Sequence, residues 1–156
     1  MVDLPATVSP RSPARPTGPP RAEKRHDRAA ALAQAARARL LTYEGVTPSL
    51  VPSYVNAADA VVATSEREGF GLAPLEALAS DVPVLSTPVG IAPLVLSGVE
   101  GTLCAPFDEA RWLGALRPHL ETREPHASRV ARAMMFERRR IAEGVACAYR
   151  ELAGVG

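Results

Sequence analysis

The apolar run Ala60-Val61-Val62-Ala63 is followed by a Gly69-Phe70-Gly71 turn. Next comes the helix-favouring stretch Leu72-Ala73-Pro74-Leu75-Glu76-Ala77-Leu78-Ala79. Strand, glycine turn and helix in that order constrain the chain to a layered α/β architecture. Glycine lets backbone come close to a ligand. The first turn of a helix offers unpaired N–H groups and the positive end of a dipole. Glu68 and Glu76 flank this turn with seven residues between them. The segment therefore reads as a candidate phosphate site bracketed by two carboxylates.

The same alternation continues on both sides. Strands are predicted at residues 40–43, 60–63, 83–86 and 102–105. Helices are predicted at residues 26–39, 47–57, 71–80, 91–96 and 108–120, the last capped by Asp108. One further helix is expected over residues 126–152. Its apolar stripe is Val130, Met134, Ile141, Val145, Ala148 and Leu152, with only Glu137 off the stripe. The implied fold class is α/β, a parallel sheet with helices on its faces. Aromatic residues make up only 4% of the chain, so aliphatic side chains must fill the core.

Residues 1–25 hold six of the fifteen prolines and show no apolar periodicity. They are predicted to be a disordered Pro/Arg-rich leader, either unselected or a docking segment. The domain itself is placed at residues 26–156. The net charge of +1 argues against nucleic acid or an anionic membrane as the main partner. No apolar run approaches the ~18 residues of a spanning helix, and no secretory leader is evident, so a cytoplasmic protein is expected. Cys104 and Cys147 have no metal-ligand spacing and are expected to be buried free thiols. His119 and His126 are expected to be solvated. No metal site is predicted.

Asn56-Ala57-Ala58-Asp59 precedes the central segment, and Pro83-Val84-Leu85-Ser86-Thr87-Pro88-Val89-Gly90 follows it. Gly101-Thr102-Leu103-Cys104-Ala105-Pro106-Phe107-Asp108 comes next. This order resembles the C-terminal donor-binding domain of family 4 glycosyltransferases, retaining enzymes of the GT-B fold, over residues 40–152. The resemblance implies a partial, truncated version of a doubly wound Rossmann-like sheet, with its last four strands present. In the order 3-2-1-4-5-6, two strands separate the third from the fourth. The strand at residue 40 would then either pair directly with that at residue 60 or sit in a reorganised sheet.

The resemblance also implies roles. The ligand would be a nucleotide diphosphate sugar, with no further cofactor. Glu68, the catalytic candidate, would accept hydrogen bonds from donor-sugar hydroxyls; otherwise it is a solvated loop glutamate. Gly69, Phe70, Gly71 and Leu72 would face the diphosphate. Glu76 would hold the ribose hydroxyls; otherwise it is a surface helix residue. Ser65 either belongs to the strand-end pattern or satisfies the turn. The chain departs from the family at Asp81, where a glycine is usual, and at Ile91 and Leu94, which replace a glycine and a glutamate. No Arg–Lys segment is evident ahead of the third strand, since Lys24, the one lysine, falls in the expected leader. The isolated chain is thus expected not to transfer sugar. It would be an enzyme fragment, a binding remnant, or a subunit that self-associates or pairs with a missing N-terminal half.

Overall fold

The computed structural model describes residues 6–8, 22–42, 46–122 and 127–153. In chain order its elements are β1 (Ala6–Val8), α1 (His26–Ala35), β2 (Leu40–Thr42), α2 (Val51–Asn56), β3 (Ala60–Ala63) and α3 (Ala73–Ala79). Then follow β4 (Val84–Ser86), α4 (Ala92–Leu96), β5 (Thr102–Cys104), α5 (Glu109–Glu121), α6 (Ala127–Met134) and α7 (Arg138–Ala153). The strands form one sheet in the order β2-β1-β3-β4-β5. β3, β4 and β5 are parallel neighbours, with Val61 opposite Val84 and Leu85 opposite Leu103. The α/β parallel sheet read from the sequence is therefore present.

The other side of β3 resolves the question of the strand at residue 40. β2 does not pair with β3. β1 lies between them, antiparallel to both, with Thr7 opposite Leu41 on one side and Val61 on the other. β2 thus runs in the same direction as β3 but one strand removed, and a single reversed strand fills the slot that the full 3-2-1-4-5-6 order gives to two parallel strands, so the sheet is reorganised. Residues 6–8 and 22–25 belong to the fold, so the expectation of a disordered leader is corrected there. The remainder of residues 1–25, together with His126, lies outside the described residues.

Side chains alternate across the strands, as a pleated sheet requires. Val61 and Val84 face α2, α3 and α4, in a cluster with Val55, Leu78, Val82 and Val95. Ala60, Val62 and Leu85 face α1 and α5, packing with Leu32, Trp112 and Leu116. Trp112 is fully buried. Its ring meets Phe107 edge-on at 5.2 Å, and its indole N–H donates to the Pro106 carbonyl at 3.1 Å. Asp108 caps α5 as expected, accepting from the Arg111 amide at 2.8 Å.

The long terminal helix is in fact two. The amides of Met135, Phe136 and Glu137 each bond three residues back, which tightens and ends α6. Phe136 packs against the cluster beneath α3, whereas α7 buries nothing. The break falls at Glu137, the residue off the apolar stripe. Among the described residues of α7, Ile141, Val145, Tyr149 and Leu152 are exposed. Cys147 is exposed for the same reason and Cys104 is half-buried, so neither is the fully buried thiol expected, although both are free.

α6 is fixed by a buried cation. Arg129 is 1% exposed and donates to the Asp81 carbonyl at 3.1 Å, to its carboxylate at 3.2 Å and to the Glu100 carbonyl at 3.3 Å. Asp81 holds a left-handed backbone (φ 53°), so aspartate in place of glycine is accommodated and the carboxylate is put to use.

A proline in the middle of a sheet removes a ladder bond. We expect Thr7→Pro to lower the unfolding free energy by about 2 kcal/mol or more in urea titrations. A leader outside the fold would tolerate the change.

Candidate functional site

The site forms where β3 ends. Thr64 is buried, and its hydroxyl lies between the carbonyls of Lys24 (3.0 Å) and Arg25 (2.9 Å). The Glu66 amide donates to the Glu23 carbonyl at 2.8 Å. These bonds stitch the short 3-10 turn Ala22–Lys24 to the strand end. Arg25 takes a left-handed backbone there (φ 49°) and pairs with both Asp27 and Glu66; Arg28 also reaches Glu66 at 2.9 Å. These outer ion pairs are solvated and carry little weight. Their inner neighbour carries more: Lys24 Nζ lies 2.7 Å from Glu68 Oε1, with the two side chains only 7% and 16% exposed.

Lys24, Glu68, Glu23, Arg67 and Gly69 line a cavity of about 470 Å3. Sequence reasoning missed Lys24 by assigning it to the leader. The available signal was the charged run Arg21, Glu23, Lys24, Arg25, Asp27 and Arg28 directly before an alanine-rich helix. The cation matters because α3 has only seven residues, and so short a helix offers an anion little by itself.

The glycine turn is built as its residues require. Gly71 has φ 80° and packs on the Glu68 stem, where an added Cβ would lie 3.5 Å from Glu68 Cγ. Gly90 has φ 56°, and a Cβ there would collide with the Phe70 carbonyl. The Ile91 amide donates to that same carbonyl at 2.7 Å. The loop after β4 therefore clamps the turn with backbone alone, so Ile91 can replace glycine without loss of the contact. Ser65 is buried, and its carbonyl accepts from the Thr87 hydroxyl at 2.5 Å. Ser65, Glu68 and Gly71 share a small enclosed pocket. Gly69 has open space around it, while Phe70 and Leu72 are exposed on the rim.

Glu76 stands apart. It lines a second cavity of about 700 Å3, between α3 and α6. Burial pushes its carboxyl above the ordinary value of 4.5, and Oε2 is buried without a hydrogen bond among the described residues. The two glutamates thus line separate cavities, and the first belongs with Lys24. Among the described residues no group of three or more His, Cys, Asp or Glu is placed to hold a metal. No helix among them is long and apolar enough to cross a membrane.

A sheet of parallel strands flanked by helices, with a glycine turn at a strand end, places the chain among Rossmann-like α/β domains. The sequence profile of the family described as glycosyl transferases group 1 matches residues 17–122, and the chain belongs to that family. The chain is 40% identical over 104 residues to a D-inositol 3-phosphate glycosyltransferase of Frankia alni, covering 62% of this chain and 25% of that protein. It is 49% identical over 53 residues to a lipopolysaccharide core biosynthesis mannosyltransferase of Rhizobium meliloti, covering 33% and 15%. It is 34% identical over 98 residues to a glycogen synthase of Mycobacterium tuberculosis, covering 59% and 24%. The matched part is about a quarter of the first relative's length.

Raising a carboxyl's folded value favours its neutral form relative to the unfolded chain. The favourable contribution is full below the unfolded value and is lost as pH rises through the folded one. Glu76→Gln removes that loss. We expect the variant to melt higher than the parent at neutral pH. The difference should close as pH falls toward 4.5, the ordinary value, in thermal melts followed by circular dichroism.

Proposed function

We propose that the chain is the donor-binding part of a glycosyltransferase and takes a nucleotide diphosphate sugar at the end of β3. The observation that carries this reading is the Lys24–Glu68 pair in a cavity beside the glycine turn. Lys24 supplies positive charge for the diphosphate, aided by the amides of residues 69–72. Fixed charge aimed at a departing diphosphate is the largest lever such a site has. Glu68, the catalytic candidate, accepts hydrogen bonds from the sugar hydroxyls, since an ionised carboxylate offers acceptors alone. Glu76 accepts from the ribose hydroxyls, and Ser65 holds the strand end in place.

Family kinship supports the same ligand class, because the named relatives are glycosyltransferases and a glycogen synthase. Transfer also requires a positioned acceptor and exclusion of water. We assign those tasks to a second half, supplied by another chain or by an extension of this one. The exposed stripe Ile141, Val145, Tyr149 and Leu152 on α7 supports such pairing or self-association. We assign this work to the 26–156 unit together with Lys24 and β1, which precede it.

Calorimetric titration with pyrophosphate and with UDP-, GDP- and ADP-glucose tests the ligand. We expect Lys24→Met to weaken both probe types by about tenfold or more. Glu68 competes with an anion for Lys24, so Glu68→Gln should strengthen pyrophosphate while weakening the nucleotide sugar. Binding indifferent to both changes overturns this placement. Sedimentation at several concentrations tests assembly: a monomer throughout, unchanged by Ile141→Glu, contradicts pairing through α7.

A further inference from the structure

α7 is 16 residues long and buries none of them. A helix of that length is marginal in water on its own, and most helical stability comes from packing an apolar face. Ile141, Val145, Ala148 and Leu152 are spaced four, three and four apart, so 141 repeats at 148 and 145 at 152. At 3.6 residues per turn the four lie within about 60° of one another. A seam this narrow, repeating every seven residues, takes another helix; the face that packs on a globular core is wider. Gly144 lies on one flank of the seam with open space around it, so a second backbone can approach there.

Charge gives a second argument. α7 begins with Arg138, Arg139 and Arg140, and its first turn holds no acidic residue. That sets three cations at the positive end of the helix dipole, the unfavourable end for them. Arg139 is answered by Glu143 at 2.9 Å, whereas Arg140 has no acidic partner among the described residues. Glu151, near the other end, accepts only a weak thiol contact from Cys147 at 3.5 Å. Arg140, Gly144 and Glu151 fall on the same flank of the seam.

We infer that α7 pairs antiparallel with α7 of a second copy of this chain, with Arg140 of each copy against Glu151 of the other. This names the occupant of the α7 stripe, which the reading above leaves between a second half and a second copy. In this register Val145 faces Ala148 of the second copy, and Ile141 faces its Leu152. Like flanks meet in an antiparallel pair, so Glu151 of the second copy passes over Gly144 and reaches Arg140, about 3 Å away along the axis. Each arginine cluster then lies beside the negative end of the other helix. A parallel pair would gather six arginines at one end and hold residues 140 and 151 about 16 Å apart. Each copy brings both halves of the complement, so two copies satisfy each other twice.

The test uses the full chain, sedimented from about 5 to 500 μM because so short a seam makes a weak pair. The mass should rise from one chain toward two. Arg140→Glu and Glu151→Arg should each weaken pairing by about tenfold, since two contacts turn from attraction to repulsion. Both positions are exposed, and unchanged melting curves will show that the fold is intact. An equimolar mixture of the two variants should recover the parent's pairing, because opposite charges then meet at both contacts. A monomer at every concentration overturns the inference, including one that binds only a separately supplied acceptor domain. So does a mixture that pairs no better than either variant alone, the result a parallel pair would give. Nucleotide-sugar binding is read by calorimetry in the same samples. Its absence from a chain that pairs as described overturns the donor reading and leaves the pairing standing.

Discussion

Thr64 sits at the end of β3 with its hydroxyl between two carbonyls of the preceding turn, and the adjacent Glu66 amide closes a third bond to that turn. Everything distinctive about the site follows from this stitching. It brings the chain's single lysine, some forty residues upstream, against Glu68. It also fixes the start of α1, whose Ala29 and Leu32 then cover Ala60 and Val62. Backbone carbonyls buried at a strand end need donors. A β-branched hydroxyl residue provides one while keeping the extended conformation of the strand.

The strands and short helices were legible because their signals are local. β3 is an unbroken apolar run, and Asp108 announces α5 by its own capping bond. Glu68, Gly71 and Ser65 were legible as neighbours along one turn. What could not be read was set by distance. β1 is three residues within a proline-rich stretch that reads as a leader, and it becomes a strand because β2 and β3 offer ladders on both its sides. Lys24 gained its role through that same packing. Glu76 read as a partner of Glu68, but helix geometry turns it toward α6, and α6 is placed by Arg129, which periodicity marks only as a basic residue on a helix. The terminal helix was over-extended because period alone does not register where Phe136 turns inward.

Two carboxylates eight positions apart therefore live in opposite circumstances. Glu68 is paired with Lys24 at 2.7 Å. Glu76 is desolvated without compensation, a local conflict between fold and charge of the kind that functional sites preserve. It lines a cavity whose other side is formed by residues of α6, Phe136, Glu137 and Arg138.

The reversed strand at the heart of the sheet has a kinetic side. β1 pairs with β3 across roughly fifty residues, whereas β3, β4 and β5 join through short crossovers. Closing so wide a loop is slow compared with forming nearby contacts. During synthesis β1 is made before both of its partners, and its ladder with β3 cannot form until β3 has been made. The parallel half of the sheet then offers a template, and β1 completes the sheet by entering between β2 and β3.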